Sequence, residues 1–323
     1  MTGSRERSTP SEPSITRVEV PVETRAPGGT TNAYLVDGVL VDPAARTAAL
    51  DAAVGVGVGD AVSVGDAAGS GDTVGTGVEG HDAETTRAVS AETTRAIDAI
   101  AVTHTHPDHV GAVAAYAELT GATVVAHADH VNRFADATGI EPDETVRDGD
   151  WIDDTAVRAI ETPGHAADHL AFAVAGRSGG GTGGGDATAD RRELICGDLA
   201  VAEGSVVVGA PDGDLAAYLA SLERVRDDDY DRLWPGHGPP IDDPRATCQR
   251  LIDHRVDRER SVLAAIEGGA RDLDAVLDAA YDKDLSGVED LARATVVAHL
   301  EKLLAEGRIG PAWEERIARV DGR

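Results

Sequence analysis

Thr103-His104-Thr105-His106-Pro107-Asp108-His109 closes an apolar run, Ile97 to Val102, and crowds three imidazoles and a carboxylate into adjacent positions. A strand running into this turn throws His104 and His106 to one side, and the turn at Pro107 swings Asp108 and His109 back towards the same space. That geometry suits two adjacent metal ions. Imidazole nitrogen and carboxylate oxygen are borderline-to-hard donors and no thiolate is in reach, so zinc is the natural ion, with iron or manganese as competitors.

Matching partners recur downstream. Thr162-Pro163-Gly164-His165, Cys196-Gly197-Asp198 and Pro235-Gly236-His237-Gly238 each set a His or Asp in or just after a Gly-containing turn behind a strand-like run. Side chains at such positions are presented at a sheet edge. A merely His-rich surface turn would lack these partners. The other histidines are expected to be bystanders or supports: His81 in a low-complexity stretch, His127 and His130 at the surface without a carboxylate at ligand spacing, and His169 behind the ligands. Cys196, in Leu194-Ile195-Cys196, is expected as a small core residue, and no disulfide with Cys248 is expected.

Asp and Glu number 58 against 29 Lys and Arg, a net charge of −29, and Lys283 and Lys302 are the two lysines. Such a chain reads as one kept soluble in concentrated salt, where screening removes carboxylate self-repulsion. It offers a polyanion no general electrostatic welcome, although a local arginine-lined site would escape that argument. Residues 1 to 13 lack an apolar targeting core and no later run approaches spanning length, so the expectation is a soluble, cytoplasmic protein with no membrane partner.

Along the chain, residues 1–14 read as a disordered leader and 15–243 as an α/β catalytic domain, with flexible insertions at about 55–92 and 176–190. Strands alternating with short helices, including one expected over Val110–Leu119, predict a four-layer αββα sandwich. Residues 244–323 read as helical: Ala246–Glu267, Leu273–Tyr281 and Leu291–Glu306, then Gly307-Arg308-Ile309-Gly310 as a turned strand pair. That pattern predicts a small C-terminal winged-helix domain. Winged helices commonly bind nucleic acid, but Arg293, Lys302 and Arg308 stand against Glu301 and Glu306, so packing or dimerisation is an equal expectation.

In order, Asp42 after a strand, the His-X-His-X-Asp-His run at 104–109, His165, Asp198 and His237 resemble the metallo-β-lactamase superfamily. Thr31-Asn32-Ala33-Tyr34-Leu35, Thr162 to His169, Tyr218 to Leu222, Trp234 to Pro239, His254 to Glu259 and Ala298 to Leu303 narrow the resemblance. They are similar to the β-lactamase-like protein two subgroup, in which a winged helix follows the metallo-β-lactamase domain.

The resemblance implies two Zn²⁺ per chain, one on His104, His106 and His165, the other on Asp108, His109 and His237, with Asp198 bridging. It also implies that Asp42 hydrogen-bonds the metal-binding loop. A bridging hydroxide would be the nucleophile and Asp108 would ligate and orient it. A carboxylate bridge without a Cys ligand resembles glyoxalase-II-type and nuclease-type hydrolases, and argues against antibiotic hydrolysis. The expected reaction is hydrolysis of an ester-type bond, with a thioester or similar small acyl substrate placed ahead of single-stranded RNA. A single-iron persulfide dioxygenase and a non-catalytic binding protein are the further alternatives, and a homodimer is compatible with the resemblance. An RNA substrate would need arginines converging on the metals, for which Arg133, Arg158 and Arg224 are the nearest in sequence.

Overall fold

A computed structural model of the chain describes residues 14–26, 28–56, 97–174, 191–281 and 285–320. The leader at 1–14 and the insertions at about 55–92 and 176–190, with His81, fall outside these residues except for residues 14, 55 and 56. Lys283 also lies outside them.

The strand-like stretches pair into two sheets. The first takes β1 (Thr16–Pro21), β2 (Thr30–Val36) and β3 (Val39–Val41) as an antiparallel meander. Helix α1 (Ala48–Ala53) follows, and β4 (Ala99–Ala101) then joins β3 in parallel. After α2 (Pro107–Val110) and α3 (Val113–Thr120) come β5 (Thr123–His127), α4 (Val131–Thr138) and β6 (Glu144–Val146), which complete the order β1-β2-β3-β4-β5-β6. The second sheet has the order β10-β9-β8-β7, from β7 (Val157–Glu161), β8 (Leu170–Val174), β9 (Glu193–Gly197), helix α5 (Leu215–Asp227) and β10 (Arg232–Pro235).

The two-residue side-chain period of a strand sorts the apolar residues into layers. With Tyr34 of β2, Val39, Val41, Ala99 and Ala101 face the second sheet, where they meet Phe172 and Ile195. Between them Leu40 and Ile100 point the other way, against Leu50 and Tyr116 of the helices. On the second sheet Leu194 and Cys196 point outwards to Leu215, Tyr218 and Leu251, so Cys196 is a fully buried core residue as expected. These faces make the helix-sheet-sheet-helix sandwich that the alternation predicts. Register matters to the site, because a one-residue slip of β4 would push Ile100 into the inter-sheet layer in place of alanine and re-aim the histidines that follow it.

Two expectations are corrected. The helix expected over Val110–Leu119 is broken at Gly111 and Ala112, because the Ala112 N–H leaves the helical ladder and donates to Pro43 O at 2.8 Å. From Pro244 the described residues form α6 (Pro244–Glu267), α7 (Leu273–Ala280), α8 (Glu289–Ala305) and α9 (Ala312–Val320), with no strand among them. The wing expected at Gly307–Gly310 is instead a turn into α9. Ile309, Trp313 and Ile317, four residues apart, bury together with Leu273, Val297 and Leu300. Among the described residues no helix is long and apolar enough to cross a membrane.

Candidate metal centre

Five loops, each leaving the C-terminal end of a strand, meet at one edge of the sandwich. They follow β3, β4, β7, β9 and β10 and deliver Asp42, the 103–109 run, His165, Asp198 and His237 respectively. Asp42 sits in the left-handed region at φ 52°, which Asp tolerates better than most residues. Its buried carboxylate accepts the Thr103 N–H, the Thr103 hydroxyl and His109 Nδ1, pinning the start and the end of the histidine run.

All seven residues expected as metal ligands come together. His104 Nε2, His106 Nδ1 and His165 Nε2 lie 2.9 to 3.2 Å apart. Three nitrogens on one tetrahedral zinc at its usual bond length would stand ~3.3 Å apart, so this triangle is already the size of a coordination face. Asp108, His109 and His237 form a second group. Asp198 lies between the two, with Oδ2 at 3.6 Å from His165 Nε2 and 3.4 Å from His237 Nε2, and Oδ1 at 3.8 Å from His109 Nε2.

The hydrogen bonds test whether these residues suit a metal. Each of the five rings has its outward nitrogen on an acceptor: His104 Nδ1 on Thr103 Oγ1, His106 Nε2 on Asp212, His109 Nδ1 on Asp42, His165 Nδ1 on Val207 O and His237 Nδ1 on Thr30 O. That pattern fixes the proton outside and turns the basic lone pair inward, the way metal-binding imidazoles are held. The inward atoms His109 Nε2 and Asp198 Oδ1 are buried and have no hydrogen-bond partner. The residues fit divalent cations.

Residues 80–237 match the metallo-beta-lactamase superfamily. Two solved structures agree over nearly the whole length: a metallo-beta-lactamase family protein of Thermus thermophilus, with TM-score 0.61, 23% identity, 92% of this chain and 95% of that one, and a beta-lactamase domain protein of Burkholderia ambifaria, with TM-score 0.61, 18% identity, 92% and 90%. The chain carries a metallo-beta-lactamase superfamily domain. Among relatives, the beta-lactamase-like protein 2 homolog of Drosophila melanogaster is 29% identical over 66% of this chain and 70% of its own length, and that of Caenorhabditis elegans is 30% identical over 56% of each. The atrochrysone carboxyl ACP thioesterase of Aspergillus fumigatus is 28% identical over 59% of this chain. The alignment spans little more than half of the worm and fungal proteins, 56% and 54%.

Burial and neighbouring imidazoles hold His104 well below its ordinary value, and burial lowers His165 as well. Burial also opposes charge on His109, but Asp42 overrides it and pushes that ring up to about 9. The buried Asp198 would be raised by desolvation alone; the His237 hydrogen bond and the surrounding imidazoles hold it well below the carboxylate range instead. A cation binding at these groups would compete with the proton that Asp42 and Asp198 favour on His109.

Some functional contacts lie beyond the sequence reading. Asp212, in the loop before α5, bonds His106; Thr24 Oγ1 donates to Asp108 Oδ2 at 2.6 Å; and the Val207 carbonyl takes His165. His169 supports the site as expected, since its Nε2 accepts the Asp198 N–H at 3.1 Å and its Nδ1 meets Thr162 Oγ1. His127, expected to lack a carboxylate partner, has Glu161 at 3.4 Å. The three arginines nearest in sequence do not converge: Arg133 reaches Thr105 and Asp212, Arg158 stacks on Trp151, and Arg224 pairs with Asp148.

Proposed function

We propose that this chain is a two-metal hydrolase of ester-type bonds, most suited to a thioester or similar small acyl substrate. The observation that carries the reading is the set of five rings with outward nitrogens bonded and inward nitrogens converging on Asp108 and Asp198. Two zinc ions fit this all-nitrogen-and-oxygen set, with iron or manganese as competitors. The nearby thiol of Cys196 is buried in the core with Sγ towards the Ala200 carbonyl, so it does not enter the donor set. Bound there, the two cations would activate a water and stabilise the developing oxyanion.

The chain's own residues then have narrow tasks. His104, His106 and His165 would hold one cation and Asp108, His109 and His237 the other, with Asp198 placed between them. Asp108, fixed at Oδ2 by Thr24, keeps its other oxygen to orient the attacking water and take its proton. A second complete ligand group makes a single-iron oxygenase the poorer fit.

The choice of thioester rests on the leaving group and on charge. A thiol ionises near ~8.5, so a thioester releases its thiolate without a proton donor, whereas a sugar oxygen needs one. Every ring nitrogen on the outer side of the site is committed to a protein acceptor. Of the three arginines, Arg133 alone reaches the site, and Asp212 and Asp168 neutralise it. The thioesterase name of the fungal relative points the same way.

The deciding experiment gives zinc-loaded protein a short-chain acyl thioester and a labelled single-stranded RNA in the same molar KCl buffer, beside Asp108→Ala. Thioester turnover that the variant loses, with intact RNA, is the expected result. RNA cleavage that needs Asp108, with no thioester turnover, would sink the proposal and make the chain an endoribonuclease.

A further inference from the structure

The histidine rings are held from outside, and the outermost supports trace back to the helices after Pro244. Val206 to Asp212 belongs to no strand or helix, so its place is set by what it touches. Towards the site it presents two acceptors: the Val207 carbonyl takes His165 Nδ1 at 2.7 Å, and Asp212 Oδ2 takes His106 Nε2 at 2.7 Å. Arg133 braces Asp212 through both carboxylate oxygens and donates from Nε to Thr105 Oγ1, the residue between two of the expected ligands.

Away from the site the same segment is seated on α6 and α8. Arg255 of α6, only 3% exposed, donates to the Val206 carbonyl and lies over the Tyr218 ring. Val206 and Val208 pack with Leu251, Ile252 and Ala298. Ala210 N–H donates to Ala294 O at 3.1 Å, and Gly209 is so close to Ala294 that a Cβ there would stand 2.7 Å from the alanine Cβ. On the opposite side of the site, Arg25 bonds Asp290 and Gly287 O at the start of α8, and its neighbour Thr24 bonds Asp108. That exposed ion pair is worth little, so the support from α8 lies with its contacts to Gly209 and Ala210.

We infer that the helices after Pro244 are part of the metal site: they seat Val206–Asp212, whose Val207 carbonyl and Asp212 carboxylate orient His165 and His106. Asp212 is a positioning residue for His106, and the contact of Gly209 with Ala294 sets where Asp212 stands. The inference rests on the two-metal reading above. Loss of an outer partner of this kind typically costs about 10 to 100-fold in metal affinity.

The test loads the full chain with Co²⁺ and reads two quantities, the visible spectrum and the affinity of each ion by chelator competition. Asp212→Asn should weaken one of two ions by about 10 to 100-fold and alter its cobalt bands. Gly209→Ala, which touches no ligand, should weaken the same ion several-fold. Leu50→Ala, a cavity against the helices of the first sheet, serves as a control that lowers stability but keeps the wild-type spectrum. Wild-type affinities in both Asp212→Asn and Gly209→Ala would overturn the inference while leaving the two-metal reading intact. So would a Gly209→Ala protein that differs from wild type only as Leu50→Ala does. A wild-type chain that takes up no cobalt would overturn the two-metal reading, and this inference with it.

Discussion

Asp42 and Thr103 stand 61 residues apart in the chain and are joined twice, Asp42 Oδ1 accepting the Thr103 backbone N–H at 2.6 Å and Oδ2 the Thr103 hydroxyl at 2.7 Å. The same Oδ2 holds His109 Nδ1 at 2.9 Å, and all these groups are fully buried. Asp42→Ala therefore strands several polar groups where water cannot reach them. Each orphan costs about 1–3 kcal/mol, so the variant should lose at least about 3 kcal/mol of stability in denaturant unfolding. It should also lose the ion held by His109. A loss below about 1 kcal/mol with metal content unchanged would show that the site does not depend on this anchor.

His299 gives the fold an acid-sensitive joint. Burial first, then the charges of Arg255, Arg258 and Lys302, lower it to about 3, and neither ring nitrogen has a hydrogen-bond partner. Its unfolded value is near ~6.5, so between these two values the unfolded chain binds one more proton than the folded one. Stability is unaffected by His299 above that window and falls as pH drops through it, by about 1.4 kcal/mol per unit. His299→Leu should match or exceed the wild type at neutral pH and lose stability less steeply on acidification. Unfolding curves at several pH values in this window check it; parallel slopes for the two proteins would refute it.

Legibility in the sequence followed the range of the causes. The run at 103–109 could be read because strand alternation and a proline turn, both local, aim its side chains. The layer order followed from the alternation of strands with short helices. Asp212 could not be read, because a lone aspartate in a Pro-Asp-Gly-Asp turn resembles any solvated turn until α6 and α8 seat it beside His106. The break at Gly111 and Ala112 has a distant cause too, the Pro43 carbonyl. The missing wing is different, since a local signal existed: Ile309, Trp313 and Ile317 repeat every four residues, a helical stripe that the flanking glycines masked.

Gly236 is wedged between ligands. A Cβ there would meet Asp198 Oδ1 and come within 2.9 Å of the His109 ring. The backbone has no room to retreat, because Gly236 N–H donates to Gly197 O at 2.9 Å and its carbonyl accepts the Asn32 N–H at 2.8 Å. Gly236→Ala must therefore displace Asp198. A shift of about 1 Å at a reacting centre costs on the order of 10²-fold, which is the fall in kcat/KM expected for thioester hydrolysis. Metal titration should show both ions weakened, since Asp198 touches both groups. A variant with wild-type turnover and wild-type metal binding would mean Asp198 does not need its present position.

Removal of the ions tests what the five converging rings are for. A cation that binds the folded chain alone, at a thousandfold above its dissociation constant, adds about 4 kcal/mol. In a chain of 323 residues each kcal/mol moves the midpoint by about 1.5 °C, so chelation should lower Tm by about 6 °C per ion lost. His165→Ala and His237→Ala each remove a ligand from a different group and should each retain one ion. Their Tm should fall between those of the loaded and chelated wild type. Orphan atoms such as His109 Nε2 and Asp198 Oδ1 are costly to bury without a counterpart. A chain that melts at the same temperature with and without chelator must satisfy them by other means, and the metal reading would then fail on stability alone.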